Sequence, residues 1–184
     1  MKKIMFSDKF CLTQAVLSGT KTMTRRLLKE GTPLGNWEET AKCLPYKVGD
    51  IVAIAQSYKD IIECMAEYSD IIINVDGSIN REYKAGWTNK MFVKANLLPH
   101  HIKITDVKVE YLQKISDDDI IREGVWQFYD NKNLFYVSKN IGYAPDVAFL
   151  SAREAFWYLI DKISGKGTWE SNPWVVAYSF ELVD

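Results

Sequence analysis

The chain has 184 residues, of which 47% are hydrophobic and 26% are charged. This balance is typical of a soluble globular protein and excludes a disordered or fibrous chain. The 23 Lys and Arg residues nearly match the 24 Asp and Glu residues, and the net charge is −1. A generally basic nucleic-acid coat is therefore excluded, and any contact with nucleic acid is expected from a local basic patch.

The cysteines, histidines and apolar runs indicate the compartment and the absence of a metal centre. The three cysteines contain no CxxC pair, and reduced thiols in a cytoplasm fit them best. His100 and His101 have no partners at zinc-ligand spacing, so we expect neither a metal nor a cofactor. The longest uninterrupted apolar run, 155–160, is far shorter than the roughly 20 residues that span a bilayer. We expect a cytoplasmic protein without a membrane segment.

The first 45 residues predict a helix, an extended segment and a loop. A short helix begins after Ser7 or Asp8 and ends near Gly19. Residues 22–26 alternate in polarity and include two Thr, which favours a strand or an extended segment. Residues 31–45 contain two Gly and two Pro, so we expect them to be mostly loop.

The middle of the chain is rich in strand signals. Residues 51–55 are a continuous apolar run after a Gly-Asp turn, which favours a buried strand. Residues 71–84 predict a hairpin, because the Asp76-Gly77 dipeptide at their centre suits a tight turn. Ile102 and Ile104 would lie on one face of a strand, whereas Val107 and Val109 would lie on the other. We therefore expect a bulge or bend near 105–106, which would bring both pairs to the same side.

The last third predicts two helices and a strand. Ser116 starts a short helix that stops at Gly124, Ser151 starts an amphipathic helix that stops at Gly165, and residues 174–182 alternate as a strand. Altogether the chain predicts five to seven mostly antiparallel strands and about three short helices that do not alternate as βαβ units. The fold class is therefore α+β, with the strands in a small closed or partly closed barrel.

Residues 19–29 carry the sequence's most informative cluster of charge. Four cations lie within nine residues of an almost neutral chain: Lys21, Arg25, Arg26 and Lys29. Such a cluster can hold phosphates or a carboxylate, although a solvated basic segment is an equally good interpretation. The hydroxyls of Thr22 and Thr24 add a possible nucleophile beside a lysine base. A regular strand would direct Lys21 and Thr24 to opposite faces, so catalysis requires a turn or kink near Lys21.

Two further positions are candidates for a ligand site. Glu123 lies at the C-terminal end of a predicted helix, where the macrodipole disfavours a carboxylate, whereas the aspartates 117–119 complement the dipole at its start. Glu123 is therefore the better functional candidate. Among the six tryptophans, Trp87, near Lys90, is the best candidate for stacking on a base, while Trp157 is expected in the core.

Four stretches of the chain resemble the ASCH domains of the PUA-like superfamily, and in particular their phage and prophage group. Residues 19–26 match the pattern G-x-K-T-x-T-x-R, and residues 47–50 (KVGD) resemble the family's turn into a barrel strand. Residues 107–125 resemble its strand–helix segment, and residues 172–176 (NPWVV) resemble its C-terminal strand. Arg25 and the length of the chain depart from the compact enzymes of the family.

The resemblance implies one ASCH/PUA-like domain over residues 1–184, with insertions around 58–85 and 126–148. It also implies a small β-barrel with flanking helices and a cleft for RNA or a nucleoside. One branch of the family hydrolyses the acetyl amide of N4-acetylcytidine with a lysine, a threonine and a glutamate. By motif, the lysine and threonine correspond to Lys21 and Thr24, and the glutamate corresponds more loosely to Glu123.

The same resemblance implies which residues contact the ligand, and it leaves more than one function open. The expected substrate- or nucleic-acid-binding residues are Thr22, Arg25, Arg26, Lys29, Trp87 and Lys90. Apart from amidohydrolysis, two alternatives are nuclease activity, which is the less favoured, and binding of RNA or a nucleotide without catalysis. A phage-associated accessory protein with another small ligand or a protein partner is a further alternative.

Overall fold

A computed structural model describes residues 1–138 and 147–183 of the chain. The strands in this part are β1 (Lys3–Ile4), β2 (Met23–Leu27), β3 (Ile51–Ile54), β4 (His101–Tyr111), β5 (Trp126–Gln127), β6 (Phe135–Tyr136), β7 (Ala148–Phe149) and β8 (Trp174–Leu182). The α-helices are α1 (Leu12–Leu17), α2 (Trp37–Cys43), α3 (Tyr58–Cys64), α4 (Ser69–Ile72), α5 (Asp117–Arg122), α6 (Ala152–Ser164) and α7 (Thr168–Ser171). The prediction of an α+β fold is confirmed, with more strands and helices than expected.

The described strands form two sheets. One has five strands in the order β1-β3-β4-β8-β2, and the other has three strands in the order β5-β6-β7. The strands of the described ranges form no closed barrel, so the fully closed form of the expected closed or partly closed barrel is not observed there. Within the same ranges, no helix has the length and apolarity to cross a bilayer.

The chain divides into two compact units. Unit 1 comprises Met1–Phe6, Ile51–Ile102 and the end of the chain from Leu182, and unit 2 comprises Ser7–Asp50 and Lys103–Glu181. The expectation of a single domain with two insertions stays a prediction. The second expected insertion, 126–148, lies partly outside the described residues.

Unit 1 is built on the buried run of β3. Val52, Ala53 and Ile54 have no exposed surface, because β3 pairs in parallel with β1 on one side and the Ile54 amide donates to the His100 carbonyl at 2.8 Å. This confirms the predicted buried strand. A capping box at Ser57 then starts α3, whose Tyr58 joins the core of the unit.

The hairpin predicted for residues 71–84 is largely wrong. Residues 71 and 72 end helix α4, and only an isolated bridge joins Ile73 to Ile79. The Asp76-Gly77 turn itself is present, since Gly77 has φ +80° and its amide donates to the Asn74 carbonyl at 2.9 Å. Ile72 is fully buried in the core of unit 1, so packing of this side chain overrides the strand-like alternation.

Unit 2 contains the helices that the sequence predicted at Ser116 and Ser151. Each serine hydroxyl accepts the backbone N–H three residues later, at 3.2 Å in both cases. Gly165 ends α6 with φ +111°. The predicted first helix is present as α1, preceded by a short 3-10 turn at Asp8–Phe10.

Two local expectations in unit 2 differ from the structure. The predicted loop 31–45 contains helix α2, because its Gly and Pro residues flank the segment and the Asn36 side chain caps it by accepting the Glu38 N–H at 2.9 Å. Strand β4 is continuous where a bulge or bend was expected. Thr105 and Asp106 are both exposed, however, so the alternation of buried and exposed side chains is interrupted at that point.

Candidate functional site

The kink that the catalytic interpretation requires lies between α1 and β2. Gly19 has φ +73°, which directs the chain out of α1. The Lys21 amide donates to the Ala15 carbonyl at 2.8 Å, and β2 begins only at Met23. Lys21 is therefore outside the regular strand, and its side chain does not follow the strand's alternation.

The side chain of Lys21 is only 2% exposed, and its ammonium is surrounded by acceptors. Nζ donates to the Met23 carbonyl at 2.7 Å, to the Glu123 carbonyl at 2.6 Å and to Glu123 Oε2 at 2.9 Å. Burial lowers the Lys21 pKa below its usual value, although the Glu123 carboxylate opposes this effect. The structure thus joins two of the three predicted catalytic residues in a buried ion pair.

Glu123 reaches Lys21 because α5 ends directly beside α1. Gly124 follows with φ +98°, and a Cβ placed there would lie 2.8 Å from Leu12 Cδ2 and 3.5 Å from Lys21 Cδ. A side chain at this position would therefore clash with α1. The glycine allows the close approach on which the Lys21–Glu123 contact depends.

Arg25 completes a network that we call the buried charge cluster, consisting of Lys21, Arg25, Glu110, Asp119 and Glu123. Arg25 is 5% exposed. Its Nη1 donates to Glu123 Oε1 at 3.2 Å, and its Nη2 donates to Glu110 Oε1 at 2.7 Å and to Asp119 Oδ2 at 2.8 Å. Glu123 is therefore held through both carboxylate oxygens, one by Lys21 and the other by Arg25.

Ion pairing within the buried charge cluster determines the charge states of Arg25 and Asp119. Burial lowers the Arg25 pKa, but Glu123, Asp119 and Glu110 together outweigh burial, so the pKa is raised above its usual value. For Asp119, burial raises the pKa, and hydrogen bonds from Arg25 and Lys108 outweigh it, so the pKa is lowered. Both groups are consequently held in their charged forms.

Thr24 lies on β2 next to Arg25, and its side chain points to the opposite face of the strand. It is directly paired with Tyr178 of β8 and is buried. No hydrogen bond joins Thr24 to Lys21 among the described contacts. The structure therefore brings Lys21 and Glu123 together. Thr24 is only three residues from Lys21 along the chain, but among the described contacts it is hydrogen-bonded to neither residue.

Arg26 shares the Thr24 face of β2 and is half-buried. Burial lowers its pKa, opposed by Tyr46, Glu123 and Tyr178. The Tyr46 ring meets the Tyr178 ring edge-on, with 5.3 Å between centroids. The buried Tyr178 hydroxyl makes no hydrogen bond of normal geometry within the described residues, and burial raises the pKa of Tyr178 to about 12. This face thus presents a cation and a protonated phenol near Thr24.

The remaining predicted binding residues are dispersed. Thr22 accepts a hydrogen bond from Arg122 Nε at 3.1 Å, and Lys29 is exposed. Trp87 and Lys90 belong to unit 1, where Trp87 packs against the core and Lys90 Nζ donates to the Phe6 carbonyl at 2.5 Å. These contacts give Trp87 and Lys90 structural roles, and their contact with a ligand stays a prediction.

Sequence reasoning missed Glu110 and Asp119 as members of the cluster. The sequence explains Asp119 by the helix dipole alone, yet its carboxylate also accepts hydrogen bonds from Arg25, Lys108 and Arg122. Glu110 lies in the stretch 107–125 that resembles the family's strand–helix segment, but it was not a candidate for the site. The available signal was Arg25 itself, because a buried guanidinium requires carboxylate partners.

The fold of this chain is similar to those of solved structures, two of which are described here. No family model and no curated protein matches the chain. A protein from Enterococcus faecalis of the DUF984 family model is matched at 16% identity over 94% of this chain and 67% of that chain, with a TM-score of 0.38. An ASCH domain from Lactobacillus crispatus is matched at 14% identity over 96% of this chain and 75% of that chain, also with a TM-score of 0.38. The second match bears the name of the family that the four sequence stretches resemble.

Proposed function

We propose that unit 2 recognises a modified nucleoside or RNA at the basic segment 19–29 and hydrolyses the acetyl amide of N4-acetylcytidine. The observation that supports this proposal most is the Lys21–Glu123 contact at 2.9 Å, which joins residues 102 apart in the chain. These are two of the three residue types that the resemblance implies for the reaction. The proposal includes a cytoplasmic location and requires no cofactor.

The chemistry assigns one role to each residue. Lys21, in its neutral form, accepts the proton of the Thr24 hydroxyl, and Thr24 Oγ1 attacks the acetyl carbonyl. The carbon–nitrogen bond breaks as the cytosine N4 takes the proton that Lys21 accepted from Thr24, and cytidine leaves. Glu123 helps to deliver this proton or positions the water for the next step. Water then hydrolyses the acetyl–threonine ester, which releases acetate and restores the hydroxyl. Arg26, on the Thr24 face, would stabilise the oxyanion.

Burial favours this role for Lys21, because it lowers the pKa and so increases the neutral fraction at a given pH. To reach Thr24, the Lys21 amine would have to leave at least one of the Met23 and Glu123 oxygens described above. The positive charge of Arg26 also lowers the Lys21 pKa, which favours the same neutral form.

A second candidate function is recognition of a nucleoside or a single flipped base without catalysis. It is favoured by the three acceptors around Lys21 Nζ, which suit an ammonium, and by the absence of a Lys21–Thr24 hydrogen bond among the described contacts. The net charge of −1 disfavours tight binding of long RNA, because few phosphates could be neutralised. A small ligand suits either candidate function.

The test is turnover of N4-acetylcytidine, followed as cytidine by chromatography. We expect turnover by the wild-type protein and a loss of about 10²–10⁴-fold in Thr24→Val and Lys21→Met, which remove the nucleophile and the base. Lys42→Gln, on exposed helix α2, is the matched control and should retain full activity. No turnover, together with calorimetric binding of cytidine that Lys21→Met weakens, would instead support the second candidate.

A further inference from the structure

A concave surface lies in unit 2, formed by residues that are separate in sequence from the buried charge cluster. It is a cavity of about 470 Å³ lined by Phe149, Glu154, Trp157, Tyr158, Asp161, Lys162 and Lys166. This volume is within the range of small-molecule sites. Five of the lining residues lie on one face of α6, at the spacing i, i+3, i+4, i+7 and i+8.

The floor of the cavity is aromatic and accessible. Trp157, expected in the core, is 40% exposed. Its indole Nε1 donates to Asp161 Oδ2 at 3.3 Å, which fixes the ring on the helix surface. Beside it, the Phe149 and Tyr158 rings lie 5.4 Å apart. An exposed indole held by a hydrogen bond is a preformed stacking surface for a planar ligand.

Asp161 holds this surface together and is not available to a ligand. In addition to the indole, its carboxylate accepts the Gly167 amide at 3.0 Å and the Trp169 amide at 2.9 Å. These donors outweigh the opposing effect of burial and lower the Asp161 pKa. The same bonds fix the turn that carries Lys166.

The charges that remain available are separated along the helix. Glu154 lies in the first turn of α6, whereas Lys162 lies in its last turns and Lys166 follows in the fixed turn. All three side chains are exposed, and none forms an ion pair within the described residues. Glu154 and Lys162 are eight residues apart, which is about 12 Å along a helix. The cavity is therefore acidic at one end, aromatic in the middle and basic at the other end.

We propose that this cavity binds a nucleotide whose base carries an exocyclic amino group. The base stacks on Trp157, its amino group donates to the Glu154 carboxylate, and the phosphate is held by Lys162 and Lys166. The ligand is a free nucleotide or one residue of a single RNA strand, because both present the same base and phosphate. This site is additional to the one proposed at Lys21 and does not depend on its activity.

The test uses adenosine and inosine monophosphates, which have the same shape but carry an amine and a carbonyl oxygen, respectively, at the same ring position. By calorimetry we expect adenosine monophosphate to bind more tightly, because the inosine carbonyl would face the Glu154 carboxylate without a proton between them. Glu154→Gln should remove this preference, since an amide can either donate or accept. A short oligoadenylate distinguishes the two sources: tighter binding than the mononucleotide identifies a strand, and equal binding identifies the free nucleotide.

Matched control variants show whether a loss of nucleotide binding comes from this cavity or from a general change of the protein surface. Trp157→Ala should weaken binding about tenfold or more, whereas Trp37→Ala, which removes an indole that is 52% exposed on α2, should not change it. Lys162→Gln with Lys166→Gln should weaken binding and reduce its salt dependence, and Lys42→Gln should do neither. The proposal is overturned if no nucleotide binds, if Trp157→Ala and Trp37→Ala behave alike, or if Lys21→Met alone abolishes binding.

Discussion

At the residue scale, Arg25 organises the buried charge cluster. It binds Glu110, Asp119 and Glu123 at once, while Lys21 binds only the last of these carboxylates. A buried ion network contributes little net stability as a whole, but removing one member leaves uncompensated charges away from water. Arg25 is also the position at which the motif departs from the compact enzymes of the family it resembles.

The first prediction concerns this residue. Arg25→Gln should lower the free energy of unfolding by about 3–5 kcal/mol at neutral pH, because the three carboxylates then keep only Lys21 and the half-exposed Lys108 and Arg122 as cationic partners. Urea denaturation measures the change.

Arg122→Gln is the control, since Arg122 also pairs with Asp119 but its side chain is 42% exposed. It should cost no more than about 1 kcal/mol, as is usual for exposed pairs. Equal costs for the two variants would show that the loss of stability does not come from leaving buried carboxylates without their partner.

Some residues of the buried charge cluster could be predicted from the sequence, but the ion-pair partners of Arg25 could not. Lys21 and Glu123 were selected from the motif and from the unfavourable position of a carboxylate at a helix end. Glu110 and Asp119 were not, because they bind an arginine that is 85 and 94 residues away. Only the fold brings such residues together.

At the element scale, the site depends on how α5 ends. The helix stops at Glu123, which directs this side chain to Lys21, and Gly124 then leaves room for Leu12 of α1. The sequence predicted this helix with its bounds because Ser116 and Gly124 mark its two ends by local chemistry. It missed α2, whose cap is Asn36 within a segment flanked by Gly and Pro.

Gly124→Ala should therefore destabilise the protein more than a glycine replacement in open space. The new Cβ would meet Leu12 Cδ2 at 2.8 Å at a position with φ +98°, and we expect a loss of about 2–4 kcal/mol from strain and overpacking. Gly31→Ala, with φ +79° and no atom within 4 Å of the added carbon, should lose only about 1–2 kcal/mol.

Thermal unfolding of both variants measures the difference. If the two losses are equal, the close approach of α5 to α1 is not what Gly124 provides. Turnover measured on the same samples would show whether displacing Glu123 also affects the proposed reaction.

At the scale of the whole molecule, composition excluded a basic coat, and the pattern of elements established the α+β class. The pairing order of the strands, and the absence of a closed barrel among the described strands, could not be predicted from the sequence. Strand order depends on contacts between distant segments, such as β2 with β8, whereas alternation and turn signals are local. For the same reason the hairpin at 71–84 was predicted where a helix and a single bridge occur.

The most direct test of the proposed reaction is whether Thr24 carries an acetyl group during turnover. Wild-type protein is mixed with excess N4-acetylcytidine, quenched in acid within one turnover, digested and analysed by peptide mass spectrometry. The proposed mechanism predicts an acetyl ester on Thr24, absent from Thr24→Val and accumulating together with the first equivalent of cytidine. Cytidine release without acetylation of Thr24, or undiminished release by Thr24→Val, would contradict it.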